Sequence, residues 1–375
     1  MENLRIHLDF FRSCAAHPRR TIKASCEESG KRSIGWVAPY APEELLYATG
    51  RIPVGIWGGN VELKNARIYL PAFACSIMQS ILEHEVLGTY DDLDAVVIPA
   101  VCDTLKCFGQ KWKGKCPSIH FVHPQNRESN GALTFYKREL ELLKNKLEVT
   151  LQMKISDTAL AEAIEIYNDY RQEMRQFLEL AYMHPNSISV KDRQAVLRAA
   201  YFMDKIEFTE RLKIVNEILK VMPKEETDRK ALLISGITFE PIELLDMLEE
   251  YGFYIACDDL AQGSRQLLAD VSFDRDPLCA LAKHWIDHTP CSVIFDRKKR
   301  RVKHLSSLAK SHNVDGVILG IMKFCDPEEY DVPLISKEMK ENDIPMLTID
   351  IEQQGGSIEQ IRTRLQSFHE RLSSL

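Results

Sequence analysis

Cysteines at the ends of predicted strands are the first residues in this sequence that could carry chemistry. Three Cys-Asp pairs follow short apolar runs that are typical of buried strands: Cys102-Asp103, Cys257-Asp258 and Cys325-Asp326. In open parallel sheets, ligands bind beyond the carboxyl ends of the strands. A further cysteine, Cys75, opens a predicted helix over 76–84, where the helix dipole favours the metal-binding thiolate. The pattern indicates a metal site assembled from distant parts of the chain.

The same cysteines are also compatible with a core that contains no metal. The sequence has ten cysteines but no C-x-x-C motif, and the C-x4-C spacing of Cys102 and Cys107 lacks the C-x2-C of plant-type ferredoxins. A buried cysteine without a metal behaves as a small apolar side chain. Stable disulfides are not expected in the cytoplasm. The spacing alone leaves a metal site and ordinary buried thiols as alternatives.

Composition and missing motifs argue against several other functions. The formal charge of −7 disfavours nucleic-acid binding, and no apolar run is long enough to span a membrane, so we expect a cytoplasmic protein. No G-x-G-x-x-G follows the first strand, and the sequence has no Walker loop, G-x-S-x-G or H-E-x-x-H motif. The basic run at 297–301 is predicted to be the solvated start of a helix.

Strands alternate with helices in two parts of the chain that resemble each other. Apolar runs predict strands at 34–39, 52–57, 95–99, 118–122, 231–236 and 315–319, and a further strand follows Gly252 and ends at Ala256. Between the two parts, residues 133–219 follow a helical period. We therefore predict an α/β fold with two Rossmann-like parallel-sheet domains of similar plan and an intervening helical segment. The predicted domains are N-terminal helices with the first α/β domain (1–132), a helical domain (133–226) and a second α/β domain (227–375).

Short motifs in a fixed order resemble the 2-hydroxyacyl-CoA dehydratase and benzoyl-CoA reductase family over nearly the full length. The matching segments are Tyr40-Ala41-Pro42-Glu43-Glu44-Leu45 with Ala48, Gly50 and Pro53; Pro99-Ala100-Val101-Cys102-Asp103; Tyr167-Asn168 with Arg171; Asp258-Asp259 with Gly263 and Arg265; Asp315-Gly316-Val317-Ile318 with Lys323-Phe324-Cys325; and Thr363-Arg364. The length and the Lys-Phe-Cys segment most resemble the smaller, beta subunits of clostridial dehydratases that act on (R)-2-hydroxyisocaproyl-CoA or (R)-phenyllactyl-CoA.

The resemblance implies a hydro-lyase that is active as a heterodimer. Members of the family convert (R)-2-hydroxyacyl-CoA into 2-enoyl-CoA. One electron added to the thioester carbonyl gives a ketyl radical anion, which expels the adjacent hydroxide and makes the C3 proton acidic enough to remove. The electron is then recycled. An ATP-dependent iron–sulfur activator supplies it, and each subunit of the heterodimer carries a [4Fe-4S] cluster. The sequence leaves the presence of a flavin open.

The resemblance also implies the site residues and the partners. Cys75, Cys102 and Cys325 match the family's cluster ligands, whereas the family motif at Cys257 requires Asp-Asp and no cysteine. The fourth ligand is left open. Glu44 matches a glutamate associated with the active site and is a candidate base; the alternative is an acid in a first helical turn.

The length favours a beta subunit. Its cluster would relay the electron from the activator to the larger homologous subunit, which would hold most of the substrate. A benzoyl-CoA reductase-type subunit and a metal-free α/β scaffold or binding subunit are the alternatives.

Overall fold

Each half of the molecule contains a four-stranded parallel sheet. The structure is a computed structural model that describes residues 2–112, 114–272, 276–288, 290–356 and 358–374. Within these residues the strands are β1 (Arg32–Val37), β2 (Arg51–Ile56), β3 (Val96–Ala100), β4 (Ser118–Val122), β5 (Lys230–Gly236), β6 (Phe253–Leu260), β7 (Gly316–Met322) and β8 (Met346–Ile351). The strand orders are β2-β1-β3-β4 and β6-β5-β7-β8. The predicted α/β fold with two sheets of similar plan is therefore confirmed.

Helices flank both sheets and fill the segment between them. They are α1 (Glu2–Ala16), α2 (Pro18–Ser29), α3 (Glu43–Tyr47), α4 (Ala66–Tyr69), α5 (Ser76–Val86), α6 (Asp103–Phe108), α7 (Ala132–Leu151), α8 (Asp157–Met183), α9 (Val190–Ala199), α10 (Lys205–Lys220), α11 (Ile242–Glu250), α12 (Pro277–Asp287), α13 (Arg300–Ser311), α14 (Asp326–Glu329), α15 (Val332–Glu341) and α16 (Ile358–Ser373). Helices α7 to α10 form the intervening helical segment. The exact division into three domains stays a prediction.

The strands are apolar along most of their length because helices cover both faces of each sheet. All seven residues of β7 are buried, and so are five of the six residues in β1. Such nearly continuous burial is characteristic of parallel sheets in α/β proteins. Close packing also restricts residue choice, since a Cβ atom at Gly236 would lie 2.3 Å from the carbonyl oxygen of Gly320. The sheets are therefore rigid supports for the loops at their carboxyl ends.

The longest helix connects the helical segment to the loops of the first sheet. The N-terminus of α8 is capped by Ser156, whose side chain accepts a hydrogen bond from the backbone N–H of Ala159. Apolar residues at helical spacing bury one face of α8 against α10, and α8 also packs on α3. This packing places Tyr167 and Arg171 beside the carboxylates of α3.

The carboxyl ends of the two sheets meet. We call residues 32–122 the first lobe and residues 230–373 the second lobe. Gln353 follows β8, and its Nε2 donates to the carbonyl oxygen of Trp57, which follows β2, at 2.8 Å. Its Oε1 accepts from Ser80 Oγ on α5 at 2.6 Å. Loops that leave the two sheets therefore share one interface.

Candidate functional site

Cys102 and Cys325 occupy equivalent positions in the two lobes. Cys102 lies two residues beyond β3 and is the N-cap of α6, and Cys325 lies three residues beyond β7 and is the N-cap of α14. The strands β3 and β7 hold the same position in their sheets. The Sγ atom of Cys102 also accepts a hydrogen bond from the backbone N–H of Leu105 at 3.5 Å. Both cysteines are thus at the carboxyl ends of strands, as the sequence predicts.

Cys75 lies in the connection between β2 and β3. It is the N-cap of α5, which begins at Ser76. The hydroxyl of Ser76 donates to Met322 Sδ, at the end of β7, at 2.9 Å. It also accepts from the backbone N–H of Gln353 at 3.2 Å. The start of α5 in the first lobe therefore lies directly against the carboxyl end of the second sheet.

The three thiols are close enough for their charges to interact. Burial is the main reason that the pKa of Cys75 rises to about 11, and the nearby Cys102 adds to this rise. Burial also raises the pKa of Cys325, with further contributions from Glu328, Cys75 and Cys102. All three side chains also pack against the same hydrophobic core cluster, which supports placing them near one another. Residues far apart in the chain thus converge at the interface of the lobes.

Burial outweighs the effect of the helix N-termini on these thiols. The pKa of Cys102 is raised by burial, although the backbone N–H groups of Leu105 and Thr104 lower it. The same opposition holds at Cys75, where the N–H groups of Met78 and Ile77 lower the pKa. The prediction that the helix dipole favours the thiolate is therefore right in direction, but the effect is too small by itself. A bound cation would supply the missing stabilisation.

Cys75, Cys102 and Cys325 are the type of donor that an iron–sulfur cluster takes. Among the residues that the structure describes, no group of three or more His, Cys, Asp or Glu side chains is arranged to hold a metal ion. Thiolates are the soft donors that such clusters take. Cys75, Cys102 and Cys325 fit this requirement in type and in convergence.

Cys257 does not lie at a strand end, and that part of the pattern-based prediction is wrong. Strand β6 continues to Leu260 because Asp258 and Asp259 still pair with β5. The Cys257 side chain is buried in a separate core cluster with Leu233 and Leu305. Burial raises its pKa far above the usual range. The structure therefore makes Cys257 a core thiol, which agrees with leaving it out of the ligand set.

A buried group of four charged side chains supports the loop that carries Cys325. We call Asp259, Arg265, Arg301 and Glu328 the buried ion network. Arg265 donates from Nε and Nη2 to the two carboxylate oxygens of Asp259 at 2.8 and 2.9 Å, and Arg301 Nη2 donates to Glu328 Oε2 at 2.9 Å. Each of the four residues is at most 2% exposed. The network connects the first turn of α14 to the carboxyl end of β6 and to the start of α13.

Electrostatics keep the acids of this network ionised in spite of their burial. Burial alone would raise the pKa of Asp259, but the charges of Arg265 and Arg301 outweigh it and lower that pKa. The pKa of Glu328 is lowered in the same way, chiefly by Arg301 and then by Arg265. Buried charges are tolerated only when they are paired and hydrogen-bonded, as these are. The network therefore holds its geometry only as a complete set.

The prediction of a solvated basic run at 297–301 is wrong for its last residue. Helix α13 begins at Arg300, and Arg301 turns inward into the buried ion network. Its Nε donates to Asp259 Oδ2 at 2.9 Å. Sequence reasoning missed Arg301 and Glu328. The sequence signal that could have found them is a pair of opposite charges, each in the first turn of a helix of the second lobe.

Glu44 lies in a second polar site, on the side of the first sheet that faces the helical segment. It is 7% exposed, and its Oε1 accepts hydrogen bonds from both Nη atoms of Arg171, one of them at 2.9 Å. These residues line a small cavity of about 70 Å³ with Tyr40 and Tyr136. The role of Glu44 as a base stays a prediction. Its geometry is that of one half of a buried ion pair.

Histidines complete the lining of this cavity. Burial lowers the pKa of His123 to about 3, although a hydrogen bond to the carbonyl oxygen of Tyr40 opposes the effect. Burial also lowers the pKa of His288 to about 3, with a smaller contribution from the neighbouring His284. Both rings are therefore neutral at physiological pH. The carboxylates of Glu43 and Glu44 and the guanidinium of Arg171 line the same cavity.

Comparison with known proteins decides between the interpretations of this fold. A model of the family described as "2-hydroxyglutaryl-CoA dehydratase, D-component" matches residues 39–372. The chain belongs to this family. The matched region includes seven of the eight strands given above, all except β1, together with Cys75, Cys102, Cys325 and Glu44. The resemblance inferred from the short motifs is thereby confirmed.

Individual members of the family are similar over almost the whole chain. The beta subunit of lactoyl-CoA dehydratase from Anaerotignum propionicum is 42% identical, over 99% of this chain and 100% of its own length. The beta subunit of (R)-phenyllactyl-CoA dehydratase from Clostridium sporogenes is 37% identical, over 96% and 97% of the two chains. A subunit of benzoyl-CoA reductase from Thauera aromatica is 25% identical, over 91% of each chain. Family membership therefore holds for the complete fold.

The helices lack membrane-spanning character. In the described part of the chain, none of them combines the length and the apolar character needed to cross a bilayer.

Proposed function

We propose that this chain is the [4Fe-4S]-carrying, beta-type subunit of a dehydratase that eliminates water from a (R)-2-hydroxyacyl-CoA. The observation that carries the proposal is the convergence of Cys75, Cys102 and Cys325 at the interface of the two lobes. Each of the three occupies the N-cap position of a helix, and the chain is most similar to dehydratase beta subunits among the relatives described above. The three thiolates would hold the cluster and leave one iron position free.

The residues around the thiols would keep this arrangement fixed. Backbone N–H groups at the starts of α5 and α6 donate toward the sulfurs of Cys75 and Cys102. The buried ion network holds α14, and with it Cys325, against the second sheet. A bound cluster would supply one-electron transfer at this place. The role of the chain is to position three thiolates rigidly and to shield them from water.

The partners in this proposal are a larger homologous subunit and an ATP-dependent iron–sulfur activator. The relatives named above are beta subunits, which supports pairing with a second subunit. Phe73 and Phe324, close in sequence to Cys75 and Cys325, are 70% and 40% exposed and could be covered by a partner. The sequence has no Walker loop, so ATP hydrolysis falls to the activator. The substrate would be held mainly by the larger subunit.

Anaerobic purification of the complex with its partner tests the ligand set. We expect iron and sulfide in this subunit, and an electron paramagnetic resonance signal that changes on ATP-dependent reduction by the activator. Cys102→Ser and Cys325→Ser should each lose most of the iron of this subunit, because a thiolate ligand is missing. The matched control Cys257→Ser should keep its iron. An iron content that is unchanged in both ligand variants would refute the proposal.

Glu44 is tested separately, because its two possible roles predict different results. In the first role Glu44 acts as a base in addition to pairing with Arg171, so Glu44→Gln should lose turnover even at temperatures at which the complex is still folded and keeps its iron. In the second role it only pairs with Arg171, so the variant should be destabilised by about 3 kcal/mol or more, since a buried arginine is left without its partner. We propose the base role for the dehydration reaction, and a loss of stability alone would contradict it.

A benzoyl-CoA reductase-type subunit is the second candidate. The similarity to the benzoyl-CoA reductase of Thauera aromatica supports it, but at 25% identity against 42% for the lactoyl-CoA dehydratase subunit. Turnover of an aromatic thioester, with no turnover of 2-hydroxyacyl thioesters by the same complex, would select this candidate.

A further inference from the structure

A large groove lies on the first lobe, on the side of α2. It has a volume of about 940 Å³ and runs between α2, the edge strand β2 and the segment after α5. That volume is at the upper end of the range for small-molecule sites. The groove is separate from the cavity that contains Glu44, since the two share no lining residue. Nothing in the proposed function uses it.

The charge of this groove is opposite to that of the whole chain. Among the described residues that line it, six are cationic and one, Asp92, is acidic; the cationic residues are Arg19, Arg20, Lys23, Lys31, Arg32 and Arg198. The chain as a whole has a formal charge of −7. A local excess of positive charge in a concave site attracts anionic ligands.

The cationic side chains on α2 have longer and more exposed carboxylate contacts than Lys31 and Arg198. Lys31 and Arg198 have carboxylate partners, Asp204 at 2.6 Å and Glu240 at 2.7 Å. On α2, by contrast, Arg19 is 4.0 Å from Asp92 and Lys23 is 3.8 Å from Glu27, and all four of these side chains are exposed. The Arg20 guanidinium donates to the hydroxyl of Ser13 at 2.6 Å. Within the described part of the chain, Arg20 has no carboxylate at ion-pair distance. These side chains are available to bind phosphate groups.

The rest of the groove is apolar and aromatic. Ile22 of α2, Val54 and Ile56 of β2, and the aromatic residues Trp57 and Tyr90 all line it. A free phosphate or a small anion would leave this surface unused. Cationic residues beside an apolar and aromatic surface fit a ligand that has phosphates at one end and a long, mostly apolar arm at the other.

We propose that this groove binds the CoA portion of an acyl-CoA thioester, with the phosphates at Arg19, Arg20 and Lys23 and the pantetheine arm along Ile22, Val54 and Ile56. The assignment of a thioester rests on the proposed function. It adds a second CoA site to the complex, on this subunit, besides the site expected on the larger one. Acyl-CoA held on this face would be a reservoir or a regulatory ligand, distinct from the thioester being dehydrated.

Calorimetric titration of the intact anaerobic complex tests the proposal. The probes are CoA and butyryl-CoA, which has no 2-hydroxyl group to eliminate, with ATP and inorganic phosphate as comparison anions. We expect two CoA sites in each heterodimer. In the double variant Arg19→Glu, Arg20→Glu, one of the two CoA sites should bind CoA at least about tenfold more weakly. The reason is that charge-assisted hydrogen bonds to phosphate are lost. The matched control Lys340→Glu, Arg371→Glu, on exposed helices of the second lobe, should keep both sites.

Tryptophan fluorescence provides a local readout that does not depend on the site in the partner. Binding of CoA should change the emission of Trp57, and the change should disappear in Trp57→Phe. A single CoA site in both the natural complex and the variant would overturn the proposal. So would equal effects of the groove variant and its control, or binding of ATP and phosphate as tight as that of CoA. Iron content and dehydration are measured on the same samples, so failure of the proposed function is recognised independently.

Discussion

The two lobes place a cysteine at the same point of the same sheet plan but hold it by different chemistry. Three residues after Cys102 comes Leu105, and three residues after Cys325 comes Glu328. Leu105 is 3% exposed and Glu328 is fully buried. The first loop is thus held by apolar packing and a backbone hydrogen bond to sulfur, and the second by a buried ion network. A shared backbone plan therefore does not dictate the interactions that stabilise it.

Because the two loops are stabilised differently, substitutions in them should lower the free energy of unfolding by different amounts. Apolar packing loses stability in proportion to the volume removed. A buried ion network depends on every member, because removal of one charge leaves its partners buried and uncompensated. We therefore expect the second loop to be the more sensitive to a single, nearly isosteric substitution.

Glu328→Gln is expected to have the largest effect. It keeps the size of the side chain but removes the charge that Arg265 and Arg301 face, so the free energy of unfolding should fall by about 3–5 kcal/mol. Urea unfolding monitored by circular dichroism would measure the change. The neighbouring Glu329→Gln, at an exposed position of the same helix, is the control and should change stability by no more than about 0.5 kcal/mol. Equal stabilities of the two variants would show that the network contributes nothing.

Leu105→Ala makes the corresponding change in the first lobe. Loss of a buried leucine side chain should lower the free energy of unfolding by about 3 kcal/mol, and the backbone N–H that donates to Cys102 is retained. Lys106→Ala, which is exposed on the same helix, should be nearly neutral. If Leu105→Ala were also neutral, the first loop would not depend on apolar packing, and the contrast between the lobes would disappear.

Lys299→Ala probes the solvent-exposed edge of the ionic arrangement. Lys299 Nζ lies 2.6 Å from Asp331 Oδ1, but the lysine side chain is 44% exposed. Water and salt screen such a pair, so we expect a loss of less than about 1 kcal/mol that shrinks further at high ionic strength. Melting temperatures at low and high salt measure it. A loss as large as that of Glu328→Gln would mean that the network extends to the surface.

His312 and Glu179 should produce the smallest effect, visible as a dependence on pH. This pair joins the second lobe to α8, with 3.5 Å between Nε2 and Oε1. The hydrogen bond to Glu179 raises the pKa of His312 above 6.5, and the same bond lowers the pKa of Glu179 below 4.5. The stabilisation is therefore complete between about pH 4.5 and 6.5 and is lost as pH rises through the raised pKa of His312.

The melting temperatures of the natural protein and of His312→Asn should therefore converge as pH rises from about 6 to about 9. The difference should correspond to less than about 1 kcal/mol, because Glu179 is largely exposed. Glu179→Gln should give the same convergence. A gap between the two curves that widens with pH would contradict the assignment of the pair.

Much of the fold could be predicted from local patterns. The apolar runs around Ile34, Ile52 and Ile318 each correspond to an observed strand, and the strand at 118–122 matches β4 at both ends. Such runs are reliable because a strand covered on both faces has no room for polar residues. The positions of Cys102 and Cys325 after strands, and of Cys75 before a helix, followed from the same patterns.

The sequence by itself determined most of the strands and helices, the repeat of one sheet plan, and the placing of two cysteines at strand ends, although it did not predict β8. Only the tertiary structure decided that Cys75 joins them, that Cys257 is inside a strand, and that Arg301 and Glu328 are buried partners. These outcomes depend on contacts between residues far apart in the chain. Local patterns show which residues of a segment face water and which face the core. Which distant residues they contact depends on how the two sheets pack against each other.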